Sequence, residues 1–116
     1  MPEDQALEKT NRINLLFDFY EPLLTEKQST FLKLYFHDDY SLGEIAENFE
    51  ISRQAVYEHI KRAEQTLQDY ESKLGLLIKH EQRTKLFEEL LLLIDGTVPE
   101  LRSQIATLLT QMNNID

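Results

Sequence analysis

The stretch that decides the fold reads Ser41-Leu-Gly-Glu-Ile-Ala-Glu-Asn-Phe-Glu-Ile-Ser-Arg-Gln-Ala-Val-Tyr-Glu-His-Ile-Lys-Arg62. Ser41 and Glu44 have the spacing of a capping box, which predicts a short helix through about Asn48. Ser52 is a typical N-cap residue and predicts a second helix directly after a tight connection. Two helices joined in this way are typical of a helix-turn-helix, with the motif at residues 41–62.

The apolar residues of this stretch predict how its two helices pack. Ala46 suits the point where the helices cross at a steep angle, because a small side chain allows close approach. Glu50 stands at a turn position that is often glycine in DNA-binding examples, and a left-handed backbone there costs glutamate more than glycine. Five apolar residues are expected to fill the core beneath the turn: Ile45, Phe49, Ile51, Val56 and Ile60.

Helical spacing of apolar residues continues on the N-terminal side of the motif. A first helix is predicted over residues 6–20 and is ended by Pro22, whose ring disfavours a helical conformation in the preceding residue. A capping box at Thr25–Gln28 opens a second helix, which carries apolar residues as far as Phe36.

The same periodicity extends towards the C-terminus. The helix after Ser52 is expected to run at least to Lys73, with Gly75 as either its end or a tolerated weak point. Residues 76–94 are helix-patterned, and a capping box at Thr97–Glu100 precedes a final helix. The whole chain is therefore predicted to be all-α, with five or six helices.

The composition limits the class of protein. The chain has 116 residues with three glycines, three prolines and no cysteine. So few helix breakers favour long helices over a β-sandwich, and the absence of cysteine excludes disulfides and thiolate metal sites. The acidic N-terminus does not resemble a signal peptide, and the apolar run Leu86–Ile94 is shorter than the roughly 20 residues that span a bilayer. We expect a cytoplasmic protein without membrane insertion.

The motif resembles region four of bacterial sigma factors, a helix-turn-helix of the winged-helix-type superfamily without a wing. Together with Asn14–Tyr20, Leu24–Gln28 and Tyr70–Leu74, it makes roughly nine-tenths of the chain similar to the YlxM-like family of small helix-turn-helix proteins of Gram-positive bacteria. The resemblance implies an all-helical fold and a link to the signal recognition particle pathway, whose components become candidate partners.

Two organisational units are predicted within one compact domain. Residues 1–75 hold the N-terminal helices and the helix-turn-helix, and residues 76–116 form a C-terminal helical unit for packing or dimerisation. Because a helix that is apolar nearly all round needs cover on every side, we expect a homodimer or higher homo-oligomer. The residues predicted to form that contact are Leu86, Phe87, Leu90, Leu91 and Ile94.

The leading functional interpretation is a nucleic-acid-binding or regulatory protein that contacts DNA or structured RNA. In a helix-turn-helix the first turns of the second helix meet base edges and phosphates. The residues predicted to do so here are Ser52, Arg53, Gln54, Tyr57, Lys61 and Arg62.

Charge opens an alternative interpretation. The net charge is −9, and residues 41–73 hold seven acids and four bases, a balance of −3. Affinity for nucleic acid depends largely on neutralised phosphates, which an acidic protein provides poorly. The alternative function is therefore an acidic protein-interaction module with a sigma-like shape and no nucleic-acid affinity.

No pattern in the sequence predicts an enzyme. The three histidines lack metal-ligand spacing, and no Ser/His/Asp grouping or glycine-rich phosphate loop occurs. We therefore predict no catalytic residue, no metal and no cofactor.

Overall fold

The computed structural model describes residues 2–95 and 98–115. A 3-10 turn (Glu21–Leu23) follows its first α-helix and a π-helical turn (Lys33–His37) follows its second. No strand occurs in the described residues, so the all-α prediction is confirmed. Six α-helices occur in this described part of the chain: α1 (Pro2–Tyr20), α2 (Glu26–Leu32), α3 (Leu42–Phe49), α4 (Arg53–Leu74), α5 (Leu76–Ile94) and α6 (Pro99–Asn113).

Contacts within the chain divide it into an N-terminal unit, residues 1–77, and a C-terminal unit, residues 78–116. In the N-terminal unit α4 packs against α1, α2 and α3, so it forms the centre of that unit. Every fully buried apolar side chain among the described residues belongs to this unit: Ile13, Leu16, Phe17, Tyr20, Phe31, Leu32, Phe36, Ile45, Ala46, Val56, Ile60, Ala63, Leu67 and Leu77.

Both helices of the helix-turn-helix begin where their caps predict. Ser41 Oγ accepts the N–H of Glu44 at 3.0 Å, and the Glu44 carboxylate accepts the N–H of Ser41 at 3.2 Å. Ser52 Oγ accepts the N–H of Ala55 at 3.0 Å, and α4 starts at the next residue. These side chains satisfy amide groups that a helix start leaves without partners.

The interior of the motif is only partly as predicted. Phe49 and Ile51 are 42% and 36% exposed, so the prediction that they fill the core is wrong. Glu50 between them has a left-handed backbone and ends α3. Phe49 is the last residue of α3, and its ring centroid lies 4.9 Å from that of Phe31. The residues buried as predicted are Ile45, Ala46, Val56 and Ile60.

The left-handed backbone of Glu50, at φ 54° and ψ 43°, gives a test of local strain. Glu50→Gly is expected to raise the free energy of unfolding by about 1 kcal/mol, because glycine has no Cβ to clash in this conformation. Glu47→Gly removes the same charge from the helical interior of α3 and should lower stability by about 1 kcal/mol. Urea denaturation measures the free energy of unfolding of both variants. A loss of stability in both would contradict backbone strain at Glu50.

The end of α2 differs from the sequence-based expectation. The first α-helix ends at Tyr20, before Pro22, as predicted, but it begins at Pro2 and not at residue 6. α2 stops at Leu32, and the backbone continues as the π-helical turn. Within this turn the Phe36 carbonyl accepts a hydrogen bond from the side-chain amide of Asn14 at 3.5 Å. A π turn widens the helix by one residue, and apolar periodicity does not reveal such a change.

Gly75 ends α4, since its left-handed backbone (φ 63°) breaks the helix before α5 begins at Leu76. Buried Tyr20 donates its hydroxyl proton to Glu71 Oε1 at 2.6 Å and accepts the N–H of Leu76 at 3.0 Å. The same Glu71 oxygen accepts the N–H of Leu77 at 3.0 Å. A tyrosine from α1 and a glutamate from α4 therefore cap the first turn of α5.

The C-terminal unit holds the rest of α5, together with α6. The Asp95 carboxylate pairs with the Arg102 guanidinium at 3.0 Å, joining the end of one helix to the start of the next. Pro99 opens α6 as the predicted first-turn proline, with Val98 at the N-cap position, whereas Thr97 of the predicted capping box lies outside the described residues. None of the described helices is long and apolar enough to cross a membrane.

Candidate nucleic-acid interface

The first three turns of α4 present one continuous exposed surface, because its buried side chains, Val56, Ile60 and Ala63, all point the other way. Ser52 holds the start of this surface as a helix cap. The six residues predicted to contact nucleic acid are all exposed: Ser52, Arg53, Gln54, Tyr57, Lys61 and Arg62.

Arg53 lies over the first turn of α3. A Cβ placed on Gly43 would be 3.1 Å from Arg53 Nε and 3.2 Å from Nη2, so the guanidinium occupies the space that any larger residue would need. Sequence reasoning identified Ala46 as the small residue of this helix pair and missed Gly43. The glycine allows the Arg53 side chain to lie along α3 and to present its donors beside the N-terminus of α4.

Glu58 offsets part of the positive charge of this surface. Its Oε1 atom accepts from Gln54 Nε2 at 3.5 Å, and its Oε2 atom lies 3.8 Å from Arg62 Nη2. Both contacts join exposed side chains one helical turn apart and contribute little to stability. They nevertheless place a carboxylate in the middle of the predicted contact residues.

Tyr57 and Lys61 lie together one turn further along. Lys61 Nζ is 5.5 Å from the centroid of the Tyr57 ring, within the range of a cation–π contact. Lys61 Nζ also lies 3.7 Å from Glu64 Oε2, and Lys9 Nζ of α1 lies 3.4 Å from the same oxygen. Lys9 was missed by the sequence analysis, since nothing in the local pattern links it to a residue more than fifty positions away.

An aromatic stack supports the flank of α4 nearest α2. The His59 ring lies parallel to that of Phe31, with centroids 5.1 Å apart. Burial of the imidazole, followed by repulsion from Lys27 and Arg62, lowers the pKa of His59 below its ordinary value of 6.5. The ring is therefore neutral at pH 7 and adds no charge to the surface.

The predicted self-association residues lie on α5 with unequal exposure. Leu86 and Leu90 are exposed, whereas Phe87, Leu91 and Ile94 are half-buried. Arg83, Leu86, Phe87 and Leu90 of α5, with Leu109, Met112 and Asn113 of α6, line an apolar groove of about 160 Å³. Leu92 and Leu93, which are not among the residues predicted to self-associate, are each 77% exposed.

α3 is short and capped, and α4 packs against it with a capped start and one exposed face. This arrangement defines a helix-turn-helix protein. The chain matches a family model described as "Putative helix-turn-helix protein, YlxM / p13 like" over residues 7–111. It therefore belongs to this family, UPF0122, as the resemblance noted in its sequence predicts.

Individual relatives are similar over most of their length. UPF0122 protein YlxM of Bacillus subtilis is 50% identical over 111 residues, covering 96% of this chain and 99% of the relative. A UPF0122 protein of Listeria welshimeri is 56% identical over 112 residues, covering 94% and 98%. One from Exiguobacterium is 61% identical over 85 residues, covering 73% and 79%.

Proposed function

We propose that the N-terminal unit binds nucleic acid through the first three turns of α4, and that the protein acts as a small regulatory adaptor. The observation that carries this proposal is the uninterrupted exposure of the six predicted contact residues opposite a fully buried face. Helix-turn-helix proteins use this part of the second helix to contact bases and phosphates. The proposed role involves no catalytic step and lies in the cytoplasm.

The local charges decide which nucleic acid is favoured. Arg53, Lys61 and Arg62 contribute +3 and the neighbouring Glu58 and Glu64 contribute −2, which leaves +1 on a chain of net charge −9. At physiological salt, charges more than about 8 Å from a contact are screened. Binding to generic duplex DNA should therefore be weak, and a structured RNA of complementary shape is the preferred ligand.

The signal recognition particle is the proposed setting. It is supported by the family resemblance, and it offers both a structured RNA and a GTPase subunit as candidate partners. A second candidate function is a protein-interaction module without nucleic-acid affinity. The contacts of Glu58 with Gln54 and Arg62 favour this alternative, since they occupy donors that would otherwise meet phosphates.

A titration at physiological salt distinguishes these functions. The purified protein is titrated with random-sequence duplex DNA, with the particle's RNA and with its GTPase subunit. We expect tight binding to the RNA and weak binding to the duplex. Binding to the GTPase subunit alone would establish the protein-interaction module, and tight binding to random duplex with neither particle component bound would indicate an ordinary DNA-binding regulator.

Alanine replacement of Arg53 and Lys61 tests the interface itself. The double variant should bind nucleic acid at least about tenfold more weakly, and the slope of log affinity against log salt should fall by about 1.5 to 2. The control is a double variant, Lys33→Ala with Lys73→Ala, which removes the same amount of charge at positions outside the first three turns of α4. Its slope of log affinity against log salt should stay near that of the wild type. Equal effects of the two double variants would move the contact elsewhere.

We also propose that the C-terminal unit associates with a second copy of itself. The exposed leucines of α5 and the apolar groove between α5 and α6 support this proposal, because a small soluble protein rarely leaves such surface open to water. A two-fold contact would place the leucines of each copy against the same groove of the other.

A further inference from the structure

A crevice of about 180 Å³ opens beside the proposed interface, between α1, the π-helical turn and α4. Tyr35, Phe36 and Tyr57 contribute aromatic walls. An apolar cavity of roughly 150 Å³ already admits one benzene ring, so this volume suits one flat aromatic group. Two of the three aromatic residues come from the π-helical turn, a backbone irregularity that is frequently found at functional sites.

The rim of this crevice is positively charged. Lys9 and Lys61 share a single carboxylate oxygen of Glu64, at 3.4 Å and 3.7 Å. The Glu64 side chain is only 13% exposed, whereas the side chains of Lys9 and Lys61 are 50% and 43% exposed. One partly buried carboxylate thus holds two ammonium groups at the opening, and one positive charge stays available for an anion.

Aromatic side chains and two lysines lining one crevice match the chemistry of a nucleotide. A base stacks on aromatic rings, while the phosphates on either side of it attract ammonium groups. A paired base within a duplex cannot enter such a crevice, because its faces are covered by its neighbours. We propose that the crevice binds one unpaired nucleobase of a structured RNA, with Lys9 and Lys61 contacting the adjacent phosphates.

This inference rests on the proposed nucleic-acid function and deepens it. Tyr57 and Lys61 belong both to the exposed surface of α4 and to the crevice. An RNA lying along the first turns of α4 would therefore bring a neighbouring unpaired base to the opening. The preference for structured RNA over generic duplex then has a source in shape as well as in charge.

The test uses two hairpin RNAs, one with a single 2-aminopurine bulge and one fully paired. The wild type should bind the bulged hairpin about tenfold more tightly, since stacking of one base contributes roughly 5- to 150-fold in affinity. The fluorescence of the 2-aminopurine should change on binding, as its base leaves one stacking environment for another.

Ala6→Trp fills the crevice from α1 without removing a charge, since Ala6 is an exposed residue of its lining. This variant should bind both hairpins equally. Asn11→Trp places the same side chain at an exposed position of α1 outside the crevice and should keep the tenfold preference. The helical content and melting temperature of both variants are measured beside the wild type.

Lys9→Gln provides a second variant that leaves the crevice open. It should weaken binding of the bulged hairpin and reduce the salt slope by about 1, whereas Arg12→Gln on the same helix should change neither. If the wild type binds both hairpins equally, or if Ala6→Trp keeps the preference for the bulged hairpin, the crevice is not a nucleobase site. The proposal that α4 binds nucleic acid would not be affected by either result. Failure of the wild type to bind either hairpin would overturn the proposed function and the crevice with it.

Discussion

Replacement of Leu90 with aspartate is expected to convert the proposed homodimer into a monomer. In the proposed contact Leu90 enters the apolar groove of a second copy, where an aspartate would be buried without a partner. Burial of an unpaired polar group costs roughly 2 to 7 kcal/mol, so the dimer dissociation constant should rise at least about thirtyfold. Sedimentation at tens of micromolar should give twice the chain mass of 13.7 kDa for the wild type and the single mass for Leu90→Asp.

Gln104→Asp is the matched control for this substitution. It introduces the same charge at an exposed position of α6 outside the groove and should remain dimeric. Circular dichroism of each variant separates dissociation from unfolding, because Leu90 is exposed in the single chain and its replacement should leave the helices intact. A wild-type protein that sediments as a monomer at high concentration would contradict the proposed self-association.

Glu71→Ala is expected to destabilise the N-terminal unit by about 2 to 4 kcal/mol. The substitution removes the acceptor for both the Tyr20 hydroxyl and the Leu77 N–H, and each unpaired buried donor costs roughly 1 to 3 kcal/mol. Asp69→Ala removes the same charge from the same helix, but its carboxylate accepts a hydrogen bond from the exposed Gln65 side chain and caps no buried group of the described residues. The free energy of unfolding of Asp69→Ala, measured by chemical denaturation, should therefore lie within about 0.5 kcal/mol of that of the wild type. Equal losses of stability in the two variants would contradict this role of Glu71.

The same cluster should make stability depend on alkaline pH. Burial of the phenol, assisted by its hydrogen bond to Glu71, raises the pKa of Tyr20 above the ordinary 10.0. Above pH 10 the unfolded chain therefore loses this proton before the folded chain does, so unfolding becomes more favourable as pH rises. The contribution of Tyr20 to the free energy of unfolding is complete below pH 10 and is lost as pH rises through the pKa of Tyr20 in the folded protein. Tyr20→Phe should be less stable at pH 8 and should lack this part of the alkaline slope, whereas Tyr57→Phe at an exposed position should retain it.

The capped starts of α2, α3 and α4 were predictable because each cap joins residues three positions apart. The capping boxes at Thr25 and Ser41 and the cap at Ser52 form hydrogen bonds that require no distant partner. The exposed face of α4 follows from the same local logic, since a 3.6-residue period assigns its apolar positions to one side. The candidate interface residues could therefore be named before their surroundings were known.

The crevice and its charges could not be predicted in this way. Lys9 and Glu64 come together only because α1 and α4 pack side by side, and the π-helical turn supplies two aromatic walls at the same place. The exposure of Phe49 likewise depends on how α3 packs in the folded unit, since apolar spacing alone predicted that this ring would lie in the core.

The sequence by itself determined the all-α class, the starts of α2, α3 and α4, and the family, because these depend on contacts between near neighbours and on matched positions along the chain. Only the tertiary structure decided which charges meet, where a cavity opens and how the first turn of α5 is capped. Tyr20 and Leu76 are 56 positions apart, and the hydrogen bond between them exists only after α1 has packed against α4. Such contacts depend on the folded arrangement of whole helices, and no local pattern of residues contains that information.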